Sequence, residues 1–290
     1  MDQIYPPGQT YGENMPSRER VGTSLIEHYY DEEAHIEWQR LERHRTEFAV
    51  TMHTLTDYLP SAPQAVLDAG GGPGRYALAL SSLGYQVTLL DLSQGNLALA
   101  RQKAQENKTS LAQYVHGNAL NLSSFHPGSF DAVLLLGPLY HLLTEPERQQ
   151  AVREAWRVLR PGGLIFAAFI TRYAAFRDLA KNSPMTLLEK CTEWADIMHT
   201  GIYHAGQGVG FTDAYFAHPD EIGPLMEGAD FETLDLLGCE GVVAANEEQI
   251  NRLSGEAWQA WVDLNYRLSK EPSLRGAADH LLYVGKKLNI

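Results

Sequence analysis

The segment Val66-Leu-Asp-Ala-Gly-Gly-Gly-Pro-Gly74 constrains the fold more than any other part of this sequence. A short apolar run leads directly into glycines, and a helical pattern to about Leu83 follows. Glycines between a strand and a helix let the backbone turn sharply and let a ligand approach without Cβ obstruction. The segment therefore predicts an α/β fold with a ligand-binding loop after its first strand, and a purely structural tight turn is the alternative.

The sequence around this loop alternates between short apolar runs and helical patterns, as expected for βαβ units in a parallel sheet. This alternation stops after residue 170 and resumes near residue 218. A structureless loop of that length would be unusual, so residues 171–217 are interpreted as an inserted lid. Predicted strands cover residues 65–69, 86–90, 112–116, 130–136, 164–170, 231–237 and 280–286, and predicted helices include 94–106, 145–159, 218–227 and 247–268.

The pattern divides the chain into four parts. Residues 1–60 form a helical N-terminal extension or cap, whose longer helix runs from about Glu33 to Leu59 and ends before Pro60 and Pro63. Residues 61–170 form the ligand-binding core. Residues 171–217 form the inserted lid, and residues 218–290 complete the core sheet.

The net charge limits the classes of partner. Lys and Arg total 23 against 36 Asp and Glu, which gives a formal charge of −13. Nucleic acids and anionic membranes bind proteins through cationic groups, so neither is expected as a partner. The sequence carries no indication of the oligomeric state.

Cysteine usage and the N-terminal composition limit the compartment. The two cysteines, Cys191 and Cys239, form no CxxC pair, so they predict no disulfide framework and no zinc site. No cluster of carboxylates follows the fourth predicted strand, so no other bound metal is expected. The N-terminus lacks the apolar core of a signal peptide, and no apolar run reaches membrane-spanning length. The cytoplasm is the expected location.

The spacing within the glycine loop distinguishes between two kinds of ligand. A dinucleotide-binding loop has the spacing G-x-G-x-x-G, but Arg75 stands where its third glycine is expected. Asp68, two positions before Gly70, would repel a pyrophosphate but suits a ligand with an ammonium group and a sulfonium. These features disfavour a nicotinamide-dependent oxidoreductase.

A second acidic residue follows the next predicted strand. Asp91 ends that strand seventeen residues beyond Gly74, where a carboxylate can accept both hydroxyls of an adenosine ribose. Acids at strand ends also cap helices, so Asp91 alone is weak evidence. Combined with the glycine loop, it indicates an adenosine-containing ligand.

Five segments stand in a characteristic order: residues 66–74, Val87-Thr-Leu-Leu-Asp91, His116-Gly-Asn-Ala119, residues 130–141 and Trp156-Arg-Val-Leu-Arg-Pro-Gly-Gly163. As a set they resemble the class I S-adenosylmethionine-dependent methyltransferases of the bacterial small-molecule type, over about residues 62–170 and more weakly to the C-terminus. The resemblance implies a doubly wound, seven-stranded, mostly parallel sheet with an antiparallel last strand. It also implies an enzyme that moves a methyl group from S-adenosylmethionine to a small-molecule acceptor.

The resemblance also implies which residues contact the cofactor. The methionine part is expected along the glycine loop, the ribose at Asp91 and the adenine between Leu92 and the pair Asn118 and Ala119. Family members often carry Asp at position 118, and an amide loses that charge. The full expected set is Asp68, Ala69, Gly70, Gly71, Gly72, Gly74, Asp91, Leu92, Asn118, Ala119, Leu136 and Tyr29.

The segment Leu136-Gly-Pro-Leu-Tyr-His141 is expected next to the transferred methyl. Gly137 and Leu139 depart from the Asn/Asp-Pro-Pro-Tyr/Phe motif of amino-methyltransferases that act on bases or glutamine, which disfavours that substrate class. His141 is a candidate general base, and Tyr140 is a candidate substrate contact. For both, local packing is the alternative, because methyl transfer to a good nucleophile depends mainly on alignment.

Flanking segments provide candidates for covering the site. Tyr29 and Tyr30 either close over the cofactor or pack in the core. An aromatic-rich stretch near residues 203–216 either lines an apolar acceptor pocket or packs the lid itself. A cofactor-binding protein without catalysis, such as a sensor or a partner subunit, is the alternative function.

Overall fold

The computed structural model describes residues 30–31, 34–205 and 212–288, and its centre is a seven-stranded sheet. The seven strands are β1 (Ala65–Ala69), β2 (Gln86–Asp91), β3 (Gln113–His116), β4 (Phe130–Leu135), β5 (Leu159–Ile170), β8 (Phe231–Gly238) and β9 (His280–Lys287). Across the sheet the order is β3-β2-β1-β4-β5-β9-β8. The pairs among β1 to β5 are parallel, whereas β9 is antiparallel to both of its neighbours.

Helices cover both faces of this sheet. Among the residues that the structure describes, none of the helices combines the length and the hydropathy that a membrane span requires. The α-helices are α1 (residues 34–43), α2 (Arg45–Tyr58), α3 (Arg75–Ser82), α4 (Gln94–Glu106), α5 (Glu145–Val158), α6 (Arg172–Asn182), α7 (Thr186–Glu189), α8 (Cys191–Thr200), α9 (Pro219–Glu227), α10 (Glu247–Asn251) and α11 (Gly255–Ser269), and the 3-10 helices are η1 (Pro138–Tyr140), η2 (Gly241–Asn246) and η3 (Pro272–Ala277).

The central strands β1 and β4 are mostly apolar and buried because helices cover both faces of the sheet there. One hydrophobic layer joins the sheet to α5 and α9, and the other joins it to α2, α3 and α4. Val50 and Leu55 of α2 are fully buried in the second layer, and each such side chain contributes roughly 1.5–3 kcal/mol. The helix α2 is therefore part of the packing that supports the sheet.

The predicted fold class is confirmed, and three predicted elements differ from the structure by more than one residue. The predicted helix from Glu33 to Leu59 is interrupted at His44, whose ψ of 58° leaves the helical region and whose Nδ1 lies 2.9 Å from Glu247 Oε2. The predicted helix over residues 247–268 is also divided, because Ser254 is extended and Gly255 has a φ of +56°. Strand β5 begins at Leu159 rather than at residue 164, since Leu159 already pairs with β4.

Residues 171–205 and 212–217 form a small unit between β5 and α9. It contains α6, α7, α8 and a two-stranded sheet made of β6 (Ile202–Tyr203) and β7 (Ala214–Tyr215). Its two ends lie side by side, because the Arg172 amide donates to the Ala217 carbonyl at 2.9 Å. The insertion therefore leaves and rejoins the core at one point, at the carboxyl end of β5.

The loops after β1 and β4 meet where the strand order reverses, which is the place where open α/β sheets bind ligands. A Cβ on Gly70 would lie 2.4 Å from Pro138 Cγ, and a Cβ on Gly137 would lie 2.8 Å from the Gly70 carbonyl oxygen. The two loops touch only because both positions are glycine.

This contact gives a prediction with a matched control. Gly70 and Gly128 have nearly the same backbone angle, with φ of +74° and +70°, but nothing lies within 4 Å of a Cβ built on Gly128. Gly128→Ala should cost only the left-handed conformation, about 1–2 kcal/mol. Gly70→Ala should lose about 1–3 kcal/mol more in chemical denaturation, from overpacking against Pro138. Equal losses would contradict the close approach of the two loops.

Candidate active site

The glycine loop is held by hydrogen bonds to the end of β2. The Gly70 and Gly71 amides both donate to the Leu90 carbonyl, at 2.6 and 3.3 Å, and the Gly72 amide donates to Asp91 Oδ2 at 2.7 Å. Gly74 precedes α3 with a φ of +81°. The loop thus wraps over the end of β2 and leads into the N-terminus of α3.

Asp68 is fully buried beneath this loop, and among the described residues its carboxyl lacks the hydrogen bonds that usually stabilise a buried acid. A Cβ on Gly71 would lie 2.4 Å from both Cγ and Oδ2 of Asp68, so the loop can cover the carboxyl only with glycine at that position. The carboxyl faces the backbone amide of Ala77, but within the described part of the chain no hydrogen bond of normal length reaches either oxygen. Burial, together with the nearby charge of Asp91, raises the pKa of Asp68 to about 7. A cation bound at the loop would favour the ionised form.

Asp91 is also buried, but it is well bonded. Its Oδ2 accepts from the Gly72 amide, and its Oδ1 accepts from the Ser93 amide at 2.9 Å and from Asn96 Nδ2 at 3.1 Å. Burial raises the pKa of Asp91, and these hydrogen bonds oppose the shift. One lone pair remains on Oδ2 for a ligand hydroxyl, and accepting a second hydroxyl there would displace the Gly72 amide.

The residues expected at the adenine surround the ends of β2 and β3. Leu92 is half-buried, and its carbonyl lies 2.8 Å from His116 Nε2. Asn118 Oδ1 accepts from the Leu120 amide at 2.9 Å, so the amide oxygen stabilises its own turn, and Ala119 is buried. These positions border the same sheet edge as Asp91, and their contact with an adenine stays a prediction.

The segment after β4 lies against the glycine loop. Leu136 is half-buried directly after the strand, and Tyr140 is buried in η1. Ala69, the last residue of β1, is fully buried. Burial raises the pKa of Tyr140, and the opposing charge of Arg40 only partly compensates. Tyr140 therefore stays a neutral phenol at the edge of the site.

His141 is enclosed by two segments that are remote from it in sequence. Its Nε2 lies 2.9 Å from the Tyr30 hydroxyl, and its Nδ1 lies 3.1 Å from Thr212 Oγ1. Hydroxyls donate or accept, so either tautomer is satisfied. Burial lowers the pKa of His141 to about 4. The imidazole is therefore neutral near pH 7 and a weak base, which favours the packing interpretation of this residue.

Residues 30 and 31 cross the opening of the site. While Tyr30 reaches His141, Asp31 Oδ1 accepts from Ser93 Oγ at 2.6 Å and from the Gly95 amide at 3.0 Å. Ser93 and Gly95 lie at the N-terminus of α4, where a carboxylate is favoured. The chain therefore spans the site from the end of β2 to the end of β4. Tyr29, the other residue expected here, lies outside the described residues.

A cluster of buried charges anchors the helices α1 and α2 beside the site. Arg40 Nη1 donates to Glu47 Oε2 at 2.7 Å, and His280 Nδ1 bonds to Glu240. Although burial opposes it, the charges of Glu47 and Glu240 raise the pKa of His280 to about 9. Glu47, Glu240 and His280 lie close enough together to hold a cation. Arg40 and protonated His280 already supply positive charge there, so the cluster neutralises itself.

The aromatic residues of the insertion mostly pack against one another. Phe176 and Trp194 have ring centroids 5.9 Å apart, and those of Tyr203 and Phe216 are 6.2 Å apart. Tyr215 donates to Glu221, and the ring of His204 lies beside Asp213. These contacts favour the packing alternative for this stretch, and Phe211 lies outside the described residues.

Several residues near the site escaped the sequence analysis. These residues are Glu37, which lies near Gly72, Arg40, which bonds to Glu37, and Thr212, which contacts His141. None of them directly follows a strand of the core, so the strand pattern did not point to them. The only local signal is the i, i+3 spacing of Glu37 and Arg40, which is typical of any surface helix pair.

Comparisons with known proteins agree with these observations. The methyltransferase domain family matches residues 67–167. The chain is 34% identical over 179 residues to the ubiquinone biosynthesis O-methyltransferase of Thiobacillus denitrificans, which covers 62% of this chain and 69% of that enzyme. The enzyme of the same name from Albidiferax ferrireducens is 36% identical over 113 residues, covering 39% of this chain and 44% of that enzyme.

One further relative and one solved structure are named for different methyl acceptors. The tRNA 5-carboxymethoxyuridine methyltransferase of Escherichia coli is 34% identical over 107 residues, covering 36% of this chain and 39% of that enzyme. The fold matches the crystal structure of 1,6-didemethyltoxoflavin-N1-methyltransferase from Burkholderia thailandensis, which has S-adenosylhomocysteine bound. That match has a TM-score of 0.56 at 14% identity and covers 97% of this chain and 94% of the other.

The state of Asp68 predicts a pH dependence of stability. Its pKa in the folded protein is about 7, above the usual value of 3.8. Between these pH values the unfolded chain loses the proton of Asp68 more readily than the folded protein does, so the free energy of unfolding falls as pH rises. Asp68→Asn removes this effect. The free energy of unfolding of the variant relative to the original protein should therefore increase by a few kcal/mol from about pH 4 to about pH 7.

The exposed Asp196 of α8 offers the control, since Asp196→Asn makes the same chemical change at a carboxyl group that is not buried. Denaturation curves at several pH values measure both variants. A constant difference for Asp68→Asn across that range would contradict the buried, unbonded carboxyl.

Proposed function

Because this chain belongs to the class I S-adenosylmethionine-dependent methyltransferases, we propose that it methylates a small-molecule acceptor at the carboxyl end of β4. The contacts that cover His141 are the main observation that supports this proposal. Tyr30 reaches His141 from the N-terminal side, and Thr212 reaches it from the insertion. A site covered from two sides favours an acceptor small enough to be enclosed.

S-adenosylmethionine is the cofactor, and when bound it supplies a methyl group on an activated sulfonium. The residues present fit such a ligand, because Asp68 keeps two buried oxygens without hydrogen bonds among the described residues and Asp91 keeps one free lone pair. In our proposal the glycine loop from Gly70 to Gly72 lies along the methionine part, and Asp91 receives the ribose. Carboxylates at both strand ends suit the positive charge of the ligand.

We propose that Tyr140 and His141 position the acceptor and take no proton from it. A neutral imidazole whose pKa is lowered to about 4 by burial is a poor base near pH 7. Alignment of nucleophile, methyl group and sulfur supplies much of the rate in such a reaction. The covering contacts of His141 serve that alignment and keep water out.

The insertion is proposed to act as a lid that shapes the acceptor pocket. Residues 171–205 and 212–217 leave and rejoin the core beside the end of β5, and Thr212 contacts His141 from that unit. Substrate choice is then determined by the insertion and the N-terminal helices, and cofactor binding by the core.

The choice between a small acceptor and tRNA can be tested directly. A relative acts on tRNA by name, but the formal charge of −13 disfavours a polyanion. The named O-methyltransferases support oxygen nucleophiles as the first class to try.

We therefore expect methyl transfer to members of a panel of phenols, catechols, carboxylic acids and amines, and none to tRNA. Purified protein, S-adenosylmethionine and each acceptor are incubated, and S-adenosylhomocysteine formation is measured. Glu232→Gln, an exposed position on β8 at the outer edge of the sheet, serves as the active control variant. Turnover on tRNA together with none on the panel would contradict the proposal.

A further inference from the structure

A cleft that holds two guanidinium groups lies on the side of the molecule where α2 and α3 pack. It has a volume of about 390 Å³ and is formed where α1, α2 and α11 meet the first residue of α3. Leu41, Phe48 and Trp258 supply apolar walls, and Arg45 and Arg75 supply positive charge. Sites for small molecules have this size and this combination of apolar walls with a few polar groups. Within the described part of the chain, the cleft shares no lining residue with the proposed cofactor site.

The first cation of the cleft, Arg45, is fixed against an aromatic ring. Its guanidinium carbon lies 4.0 Å from the ring centroid of Trp258, and its Nη1 donates to the carbonyls of Asn251 and Leu253 at 2.6 and 3.3 Å. A guanidinium has five N–H groups, so the N–H of Nε and both of Nη2 remain. Among the residues that the structure describes, no carboxylate pairs with Arg45. The structure thus holds a positioned cation without an acidic partner of its own.

The second cation, Arg75, lies near two aromatic rings and has a weak acidic partner. Its guanidinium carbon is 4.5 Å from the ring centroid of Trp38 and 5.5 Å from that of Phe48. Arg75 Nη1 lies 3.4 Å from Glu42 Oε1, and the Glu42 side chain is 56% exposed. A pair this long and this exposed contributes little to stability. An incoming anion can therefore replace Glu42 at Arg75 with little loss.

The charge at the cleft differs from that of the chain as a whole. The formal net charge is −13, whereas the described lining of the cleft holds two guanidiniums and one carboxylate. A guanidinium suits a ligand that has both a ring and a negative charge, because it stacks on aromatic faces and binds carboxylates through paired N–H groups. The walls formed by Phe48 and Trp258 suit the ring of such a ligand.

We propose that this cleft is a second binding site, separate from the methyl-transfer site, for a small planar aromatic molecule that carries a carboxylate. Burial against Phe48 and Trp258 holds the ring. The carboxylate accepts from the N–H groups of Arg45 and Arg75 that no hydrogen bond among the described residues uses. Because the ring and the charge are recognised by different side chains, a molecule that lacks either part binds more weakly.

The test uses 2-naphthoate as the probe and reads its position from the tryptophan side chains. The full chain is isotopically labelled in its five tryptophan indoles, and the Trp258→Phe variant identifies the Trp258 resonance in nuclear magnetic resonance spectra. Titration with 2-naphthoate should shift the Trp258 resonance to saturation, because an aromatic ring beside an indole changes its local magnetic field. Trp156 packs with α5 on the opposite face of the sheet, so its resonance should stay unchanged.

Two related molecules separate the contributions of the ring and the charge. The compound 2-naphthol has the same ring and is uncharged near pH 7, and cyclohexanecarboxylate has the charge without an aromatic ring. Each should bind about tenfold or more weakly than 2-naphthoate, as expected when one favourable contact of a pair is lost.

Three arginine variants test the role of the guanidiniums. Arg45→Gln and Arg75→Gln should each lower the affinity for 2-naphthoate about tenfold, because each removes a charge-assisted hydrogen bond. The affinity for 2-naphthol should stay within about twofold of the original. Arg267→Gln makes the identical change at an exposed position further along α11 and should alter neither affinity. Thermal unfolding of each variant checks the fold, and Arg75→Gln keeps the test valid if the loss of the backbone contacts of Arg45 destabilises the protein.

Glu42 provides a test of opposite sign. Glu42→Gln removes the acid that competes with the ligand for Arg75. The affinity for 2-naphthoate should therefore rise by about two- to fivefold, in line with the loss of an exposed ion pair, and the affinity for 2-naphthol should not change.

The outcomes decide the proposal without involving methyl transfer. A saturable shift of the Trp258 resonance that weakens in Arg45→Gln or Arg75→Gln and strengthens in Glu42→Gln supports the second site. No shift of that resonance with millimolar 2-naphthoate overturns it. A shift of equal strength in the original protein and in both charge-removing variants also overturns it, because binding would then not involve the guanidiniums.

Discussion

Two carboxyl groups, Asp68 and Asp91, are buried side by side at the ends of β1 and β2, and the organisation of the site follows from them. Asp91 is stabilised by three hydrogen bonds, whereas Asp68 has none of normal length within the described chain. Burial and the charge of Asp91 both raise the cost of ionising Asp68. A ligand that carries positive charge relieves that cost, so this arrangement favours a cationic ligand.

The N-terminal region adds further charged and polar groups beside these two carboxyls. Asp31 bonds at the start of α4, Glu37 lies over Gly72, and Tyr30 reaches the end of β4. What fixes α1 there is the buried bond between Arg40 and Glu47 of α2. Breaking such a pair by removing one partner is strongly destabilising, so this pair holds the cover to the core.

The fold and the loop could be predicted from the sequence because their signals are local. Alternating apolar runs gave the order of strands, and the spacing of Gly70, Gly72 and Gly74 indicated the kind of ligand. Contacts between Tyr30 and His141, or between Glu37 and Gly72, join residues far apart in the chain and depend on where α1 lies. Position after a strand suggested His141 as a base, but only its burial in the folded chain shows why its pKa is low.

The central claim is that Asp91, beside the glycine loop, holds the cofactor, and calorimetric titration with S-adenosylhomocysteine tests it most directly. Asp91→Ala should weaken binding by about 2–4 kcal/mol, because charge-assisted hydrogen bonds are lost. Asp91→Asn, which keeps the shape and one oxygen, should lose less, and unfolding measurements on both variants check the fold. Unchanged affinity in a folded Asp91→Ala variant would show that the carboxylate only caps α4, and would contradict this account of the site.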